Sequence, residues 1–403
     1  MTGAISQVQG QFLEYPGSLE KFEEPDTNDV VPSVPLTSNP VSVPLVALTG
    51  ADMLEAIEVY TRFTGTANAF TGALALSPWF PYNFIQTLRV PYQSGSLTMG
   101  SMDGHLWWLT NLLRNNNTPV SLPVPYIQQQ AVLSSGYTPE ANIVSSAAYV
   151  APAVSGSVTY DFNLHVYPAL YFERFYDLST DAKMLRFDQT YVSPFLMSST
   201  GRNVIPVIIL NPAFSNQFPD LSPLSWNGAG GTAPTWTDTG SNVRFKRRGW
   251  RQPVNAALMP PLFNWAHQWF VQRNNVNTSR VQIPIPVEGQ LLAIVMRFYD
   301  AVAKAPIAVT SVNFNSLKLT YGSGLNKFFD RPQDMQDRIF RQHGLRLTSG
   351  VAIWDMYVDT KTNLHGINTY NTASPLISLD FAVTPGAGSY VDVAMEFLTL
   401  IGN

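Results

Sequence analysis

The sequence predicts an all-β protein made of two tandem eight-stranded jelly-roll sandwiches, each with a short inserted helix. Three observations predict it. Many short runs alternate apolar and polar residues between Gly, Pro and Ser turns, as strands with one buried face do. Only two runs carry helical spacing, too few for the strand–helix alternation of a parallel sheet. The second half of the chain also repeats the order of the first. Val158, Tyr160, Phe162 and Leu164 are echoed by Val391, Val393, Met395 and Phe397 (391 − 158 = 233). Val150 and Pro152 are echoed by Val383 and Pro385 at the same offset (383 − 150 = 233). A fixed offset marks an internal duplication, and about eight strands per copy suit a jelly roll among the sandwich folds.

The elements follow in order. Residues 1–39 read as an N-terminal arm. Ile5, Val8 and Phe12 have loose helical spacing there, while Gly3, Gly10 and Gly17 oppose a stable helix. The acidic run after them is expected in solvent. Residues 40–212 read as the first jelly roll. Leu54 to Thr64 alternates as a strand, with Ile57, Val59 and Phe63 on one side and Glu58, Tyr60 and Arg62 on the other. Asn83 to Tyr92 reads as a strand, Ser94 to Ser101 as a Gly/Ser turn, and Met102 to Asn115 as a helix capped by Asp103 or Ser101. The one-sided strand Val158 to Val166 and the apolar strand Val204 to Leu210 follow.

Residues 213–242 are rich in Pro, Gly, Ser and Thr and read as a linker with an exposed loop. Residues 243–403 read as the second jelly roll. Glu288 to Asp300 is a strand with Leu292, Ile294, Met296 and Phe298 on one face, and Ser316 to Tyr321 is another. Asp330 to His343 is a helix with Met335, Ile339 and Phe340 as its inward set. Gly350 to Val358 is a strand, and the echoed pair closes the chain.

Composition bounds what such a chain does. Of 403 residues, 45% are hydrophobic and 12% aromatic, enough for two cores, whereas 13% are charged, about half the usual share. A surface largely covered by copies of itself needs few charges, so the low share leans toward an assembly; a large all-β protein with Ser/Thr/Asn surfaces is the plainer alternative. The absence of cysteine removes disulfides and thiolate metal sites. Residues 1–24 lack the basic start and apolar centre of a signal peptide, and no apolar run approaches the ~20 residues that span a bilayer, so a soluble chain is expected. The formal net charge is −4. Residues 1–29 hold six acidic residues against Lys21, so the remainder is near neutral and has no large basic field for nucleic acid.

The order of these elements resembles a known family. The passage Asn83 to Asn115, the stretch Val150 to Leu170, and Asp330 to Leu400 with Arg338 and Arg341 on its helix are similar to double jelly-roll major capsid proteins of tailless icosahedral phages. Tectiviruses are the nearer likeness and the adenovirus hexon lineage the more distant one. The resemblance covers most of the chain from about Pro40. It implies a homotrimer whose six rolls make a pseudo-hexagonal capsomer that tiles an icosahedral shell in the virion. It also implies neighbouring capsomers, minor capsid and vertex proteins, and an internal membrane beneath the shell as partners.

Catalytic and binding chemistry is sparse. His105, His165, His267, His343 and His365 have no metal-ligand spacing, and no GxSxG elbow, P-loop or GxGxxG turn is present. The expectation is a non-enzyme without cofactor or metal. The one basic cluster is Arg244, Lys246, Arg247, Arg248 and Arg251 with Phe245 and Trp250 interleaved. A lattice or intersubunit contact is its preferred reading, ahead of a solvated strand edge and of nucleic-acid binding. Ile5, Val8 and Phe12 of the arm are the other candidate contacts. Trp107, Trp108, Trp265 and Trp269 read as core or interface anchors. The runner-up function is another trimeric virion protein, a vertex or receptor-binding spike. A cupin-type enzyme is third, since Tyr160, Phe162, Val393 and Met395 occupy the inward positions where cupins need ligands.

Overall fold

The computed structural model of the chain describes residues 21–24, 35–37, 39–43, 53–67, 70–71, 73–77, 79, 82–92, 97–115, 150–151, 156–166, 195–196, 205–214, 222–227, 231–250, 265–321, 325–343, 347, 349–356, 366–370 and 375–400. They form two sandwiches of the same topology. In the first, a long sheet runs Lys21–Glu24, Asn242–Trp250, Met53–Ala67, with Gly156–Val166 on the far side of Met53–Ala67. A shorter sheet runs Val41–Val43, Val207–Leu210, Ile85–Tyr92, Leu97–Met102. The second roll repeats both orders. Its long sheet runs Trp265–Asn275, Tyr390–Leu400, Gln290–Asp300, Val351–Asp355. Its shorter sheet runs Arg280–Pro284, Leu376–Phe381, Phe314–Tyr321, Leu325–Asp330. All these pairings are antiparallel. In each roll the chain visits the two sheets in the same order, which makes eight matched strands per copy.

Each roll inserts its helix at the same point, after the edge strand of the shorter sheet. Helix α1 is Gly104–Asn115 and helix α2 is Pro332–His343. Asp103 caps α1: its Oδ1 accepts from the Leu106 N–H at 2.9 Å. Pro332 opens α2, at the helix position where a missing N–H costs nothing. Period-two burial shapes the Met53–Ala67 strand: Ile57, Val59, Thr61 and Phe63 are buried and Tyr60, Arg62 and Thr64 half-buried. Inside the second roll, Ile294, Met296 and Phe298 pack with Phe314, Trp354, Phe381 and Val393.

Several sequence expectations change. The echoed strands are not topological counterparts. Gly156–Val166 follows α1 and pairs with Met53–Ala67, so its partner by topology is Val351–Asp355, which follows α2 and pairs with Gln290–Asp300. Tyr390–Leu400 corresponds instead to Asn242–Trp250. The offset is 228 at the helices (332 − 104), but longer connections in the first copy then shrink it: residues 116–155, which include the short strand Val150–Ala151, separate the helix from the matched strand there, against 344–350 in the second. Any one-sided strand after a Gly/Pro turn has the pattern that suggested the echo.

The stretch 213–242 holds strands Leu224–Asn227 and Trp236–Asp238, which pair with Ala73–Leu76 and Met53–Ala67. Asn242–Trp250, expected to open the second roll, closes the long sheet of the first, so pairing puts the boundary between rolls after Trp250. The Ser94–Ser101 turn contains most of strand Leu97–Met102. In α2, Met335 and Ile339 are fully buried but Phe340 is 50% exposed, because it lies beyond the stripe that Pro332, Met335 and Ile339 turn inward.

A tight approach fixes the start of α1. A Cβ on Gly104 would stand 2.2 Å from the Tyr82 carbonyl oxygen. Gly104→Ala is therefore expected to destabilise the protein by about 1–3 kcal/mol through overpacking, read as a lower denaturant midpoint with an unchanged slope. An unchanged midpoint would show that the helix start is free to shift.

Candidate assembly interface at the seam between the rolls

The long sheet of the second roll has two buried faces. One closes on its own roll. On the other, Ala293, Val295, Arg297 and Tyr299 are between 0 and 2% exposed, and Ala293 and Val295 belong to the same apolar cluster as the first roll's core. The first roll supplies the cover. Residues 104–110 of α1 are all buried, with one side of the helix on its own roll and the other toward the second. Trp107 donates from Nε1 to the Leu88 carbonyl at 2.7 Å, and Trp108 stacks on Tyr82 at 4.6 Å. Trp269 reaches across from the second roll and lies against Gly100, where a Cβ would sit 3.1 Å from its own Cβ. Of the four tryptophans expected to be anchors, Trp107 and Trp108 hold α1 and Trp269 holds the seam. The Trp265 side chain lies outside the described residues.

A charged clasp sits in this apolar seam. Arg297, 1% exposed, donates from Nη1 and Nη2 to the two carboxylate oxygens of Asp103 at 2.9 and 2.6 Å. Its Nη2 also reaches Asp392 Oδ2 at 2.6 Å. Asp392 in turn accepts from Arg273 Nε at 2.7 Å and Nη2 at 3.0 Å. Arg273, Asp392 and Arg297 are register partners on three adjacent strands, so one row of the sheet places all three groups. Aromatic rings complete the enclosure. The Arg297 guanidinium lies 4.1 Å over the Trp79 ring and that of Arg273 3.7 Å over Tyr390. Trp79 stacks on His105 at 5.6 Å, and Tyr299 on Tyr390 at 5.5 Å. A cavity of about 370 Å³ opens beside the clasp, lined by Gln86, Thr87, Ser101, Asn211, Arg273 and Arg297 among others.

The electrostatics follow from burial. Burial by itself lowers the Arg297 pKa, but the Asp103 and Asp392 carboxylates outweigh it and hold the group above its ordinary value, fully charged. Burial lowers the Arg273 pKa too, and the bond to Asp392 again reverses the sign. His105 is pushed well below its usual range, first by burial and then by the Arg297 charge. Arg297 has only N–H groups to offer at its 3.3 Å contact with His105 Nδ1, so Nδ1 accepts and the ring is neutral.

The residues expected to make contacts lie elsewhere. Arg244 is exposed on Asn242–Trp250, its guanidinium 5.8 Å from the Tyr60 ring centroid. Lys246, Arg247 and Arg248 continue that strand, and the expected solvated acidic run pairs with it: Glu24 stands opposite Arg247 and Glu23 opposite Arg248. The arm thus adds a strand to the sheet edge, with opposite charges in register. Ile5, Val8, Phe12 and Arg251 lie outside the described residues. Among the described residues no three metal-ligating side chains cluster, and no helix is long and apolar enough to cross a membrane. Arg297, Asp392, Arg273 and Trp79 were not singled out from sequence. The available signal was an arginine inside the apolar run LLAIVMRFY, since a cation there needs a partner.

No protein-family model matches the chain, and no curated protein matches it in sequence. Solved structures do match over nearly its whole length. The Sulfolobus turreted icosahedral virus structure aligns with TM-score 0.58 at 14% identity, over 95% of this chain and 91% of its own. The crystal structure of that virus's major capsid protein aligns with TM-score 0.54 at 15% identity, over 95% and 96%. The capsid of the virus PBCV-1 aligns with TM-score 0.53 at 10% identity, over 94% and 93%. These are double jelly-roll major capsid proteins. The fold is a double jelly roll. In this double jelly roll the clasp locks one roll to the other.

Two outcomes follow. Asp103→Ala removes both the cap and the partner of a buried cation and is expected to cost about 3–5 kcal/mol. Asp103→Asn keeps the cap and should cost less; an Asn variant as stable as wild type in denaturant unfolding would remove the ion pair from the account. His105 has a folded pKa below its unfolded value of about 6.5. Its contribution is therefore complete above that pH and is lost as pH falls below it toward the folded value. Unfolding free energy should drop between pH 7 and pH 5, and His105→Gln should flatten the drop. An identical slope in both proteins would assign the acid sensitivity elsewhere.

Proposed function

We propose that this chain is the major capsid protein of an icosahedral virus, three copies of which form a pseudo-hexagonal capsomer that tiles the shell of the virion. The observation that carries the reading is the direction of the seam. The helix side of one roll meets the outer sheet face of the next, so the contact is head-to-tail, and each roll owns both surfaces. A head-to-tail contact that repeats closes a ring when its rotation permits. Six rolls from three chains make the ring that fills a sixfold lattice position. The double jelly-roll likeness to capsid proteins supports the same reading, as does the low share of charged residues.

Neighbouring capsomers are the principal partners. Minor capsid and vertex proteins, and a membrane beneath the shell, are the further partners of this reading. Arg244, Lys246, Arg247, Arg248 and Arg251 serve as intersubunit contacts. Ile5, Val8 and Phe12 reach neighbouring subunits. No enzymatic activity and no direct nucleic-acid binding belong to the reading.

Negative-stain electron microscopy of the purified chain, with mass measurement, tests this. Squat, six-lobed particles of three-chain mass are expected. An elongated trimer that does not tile would point to a spike, and a persistent single-chain mass would overturn the capsomer.

A further inference from the structure

The two faces of the second roll's long sheet differ in the size of their side chains. The seam face carries Ala293, Val295, Val351, Ile353 and Ala394, all fully buried. The inner face carries Ile294, Met296, Phe298, Trp354 and Met395. On this side, then, the seam buries less apolar area per residue than the sandwich interior does. Among the described residues, the inner-face cluster draws only on the second roll, so it does not need the first roll to stay packed.

What orients the rolls is the clasp, and His105 is the member of it whose charge changes near neutral pH. With its ring neutral the charges close: Arg273 and Arg297 balance Asp103 and Asp392. The carboxylates are fully engaged. Asp103 Oδ1 accepts from the Leu106 N–H and Arg297 Nη1, and its Oδ2 from Arg297 Nη2. Asp392 Oδ1 accepts from Arg273 Nε, and its Oδ2 from an Nη2 of each arginine. His105 Nδ1 accepts from Arg297 Nη1 at 3.3 Å, so the neutral ring carries its proton on Nε2. A second proton has to enter at Nδ1. There it turns an acceptor into a donor facing a donor, and sets an imidazolium against a guanidinium in a site 2% exposed. Trp108, Trp79 and Tyr82 surround the ring, with centroids at 5.5, 5.6 and 6.3 Å. Burial keeps the Tyr82 hydroxyl protonated, so it brings no negative charge. Tyr299 lies behind Trp79, and Tyr390 under Arg273. The next acids on the sheet face, Asp355 and Glu396, flank Ala293, four residues along the strand from Arg297 and about 13 Å away.

We infer that the seam is an acid-released lock: a proton on His105 Nδ1 parts the first roll from the second while the two sandwich interiors stay closed. The inference concerns a single chain and stands apart from the ring of three. In the open form His105 is in water and titrates at about 6.5. In the closed form burial and then the Arg297 charge hold it well below that range. The proton therefore favours the open form. The lock is complete above the open-form value. Below it, each pH unit multiplies the ratio of open to closed by about 10, until the closed-form value is reached. Acid thus frees the angle between the rolls, which is the quantity the clasp sets.

Thiol labelling of the full chain tests this, since the sequence has no cysteine. Ala394→Cys puts a thiol on the seam face, and Val59→Cys and Ala352→Cys put one in each sandwich interior. Each protein is reacted with a dipyridyl disulfide between pH 7 and pH 5. Its rate is divided by that of the same protein unfolded in urea at the same pH. The Ala394→Cys ratio should rise about 10-fold from pH 6 to pH 5, and the two interior ratios should stay constant. With His105→Gln added to Ala394→Cys the rise should vanish, because Gln still offers Arg297 an acceptor and takes no proton. A flat Ala394→Cys ratio overturns the lock. An equal rise at all three thiols overturns it too, since acid then unfolds the whole chain. A rise that survives His105→Gln overturns His105 as the trigger. The comparison of the three thiols needs no change at His105, so it decides whether the seam opens even where the Gln variant does not fold.

Discussion

The structure depends on placing one guanidinium, that of Arg297, in the middle of an apolar seam. A buried charge costs several kcal/mol unless it is paired and fully hydrogen-bonded. Here the partners come from both rolls: Asp103 and His105 from the first, Asp392 from the second. The two Nη groups of Arg297 therefore find their partners only when the rolls meet in one orientation. Apolar contacts alone would tolerate sliding, because the hydrophobic effect has no direction. A buried pair adds little net stability over a well-packed apolar one, so its role here is to set the docking geometry.

Docking explains features that neither roll explains alone. The Gln290–Asp300 strand is buried from Leu291 to Tyr299 because one face closes a sandwich and the other closes the seam. Helix α1 carries two tryptophans because it must fill space on two sides, while α2 with Met335 and Ile339 fills one. The asymmetry between duplicated elements thus records which copy has a neighbour within the chain.

Much of this was legible in the sequence. Alternation gave Met53–Ala67 and Gly156–Val166 nearly to their ends, because a strand with one face on a sandwich interior has period two; Gln290–Asp300 showed instead as a continuous apolar run, buried on both faces. Both helices were legible from spacing, and the Asp103 cap from chemistry. The short strands Leu224–Asn227 and Trp236–Asp238 were not, since Gly- and Pro-rich surroundings mask brief pairings that long-range partners stabilise. The strand echo misled because period-two patterning reports a buried face and not a place in the topology. The clasp was only half visible: Asp103 was legible as a helix cap, but nothing local shows that the strand face carrying Arg297 is covered by the other roll.

By itself, then, the sequence determined the class of fold, its duplication and the absence of cysteine chemistry, because periodicity and composition are local quantities. Only the tertiary structure decided which strands correspond between copies, where the first roll ends, and that Asp103, Arg297 and Asp392 form one group. Strand pairing and roll docking join residues far apart in the chain, up to 194 positions in the case of Arg297 and Asp103. No local pattern encodes a separation of that length; packing and hydrogen bonding in three dimensions select it.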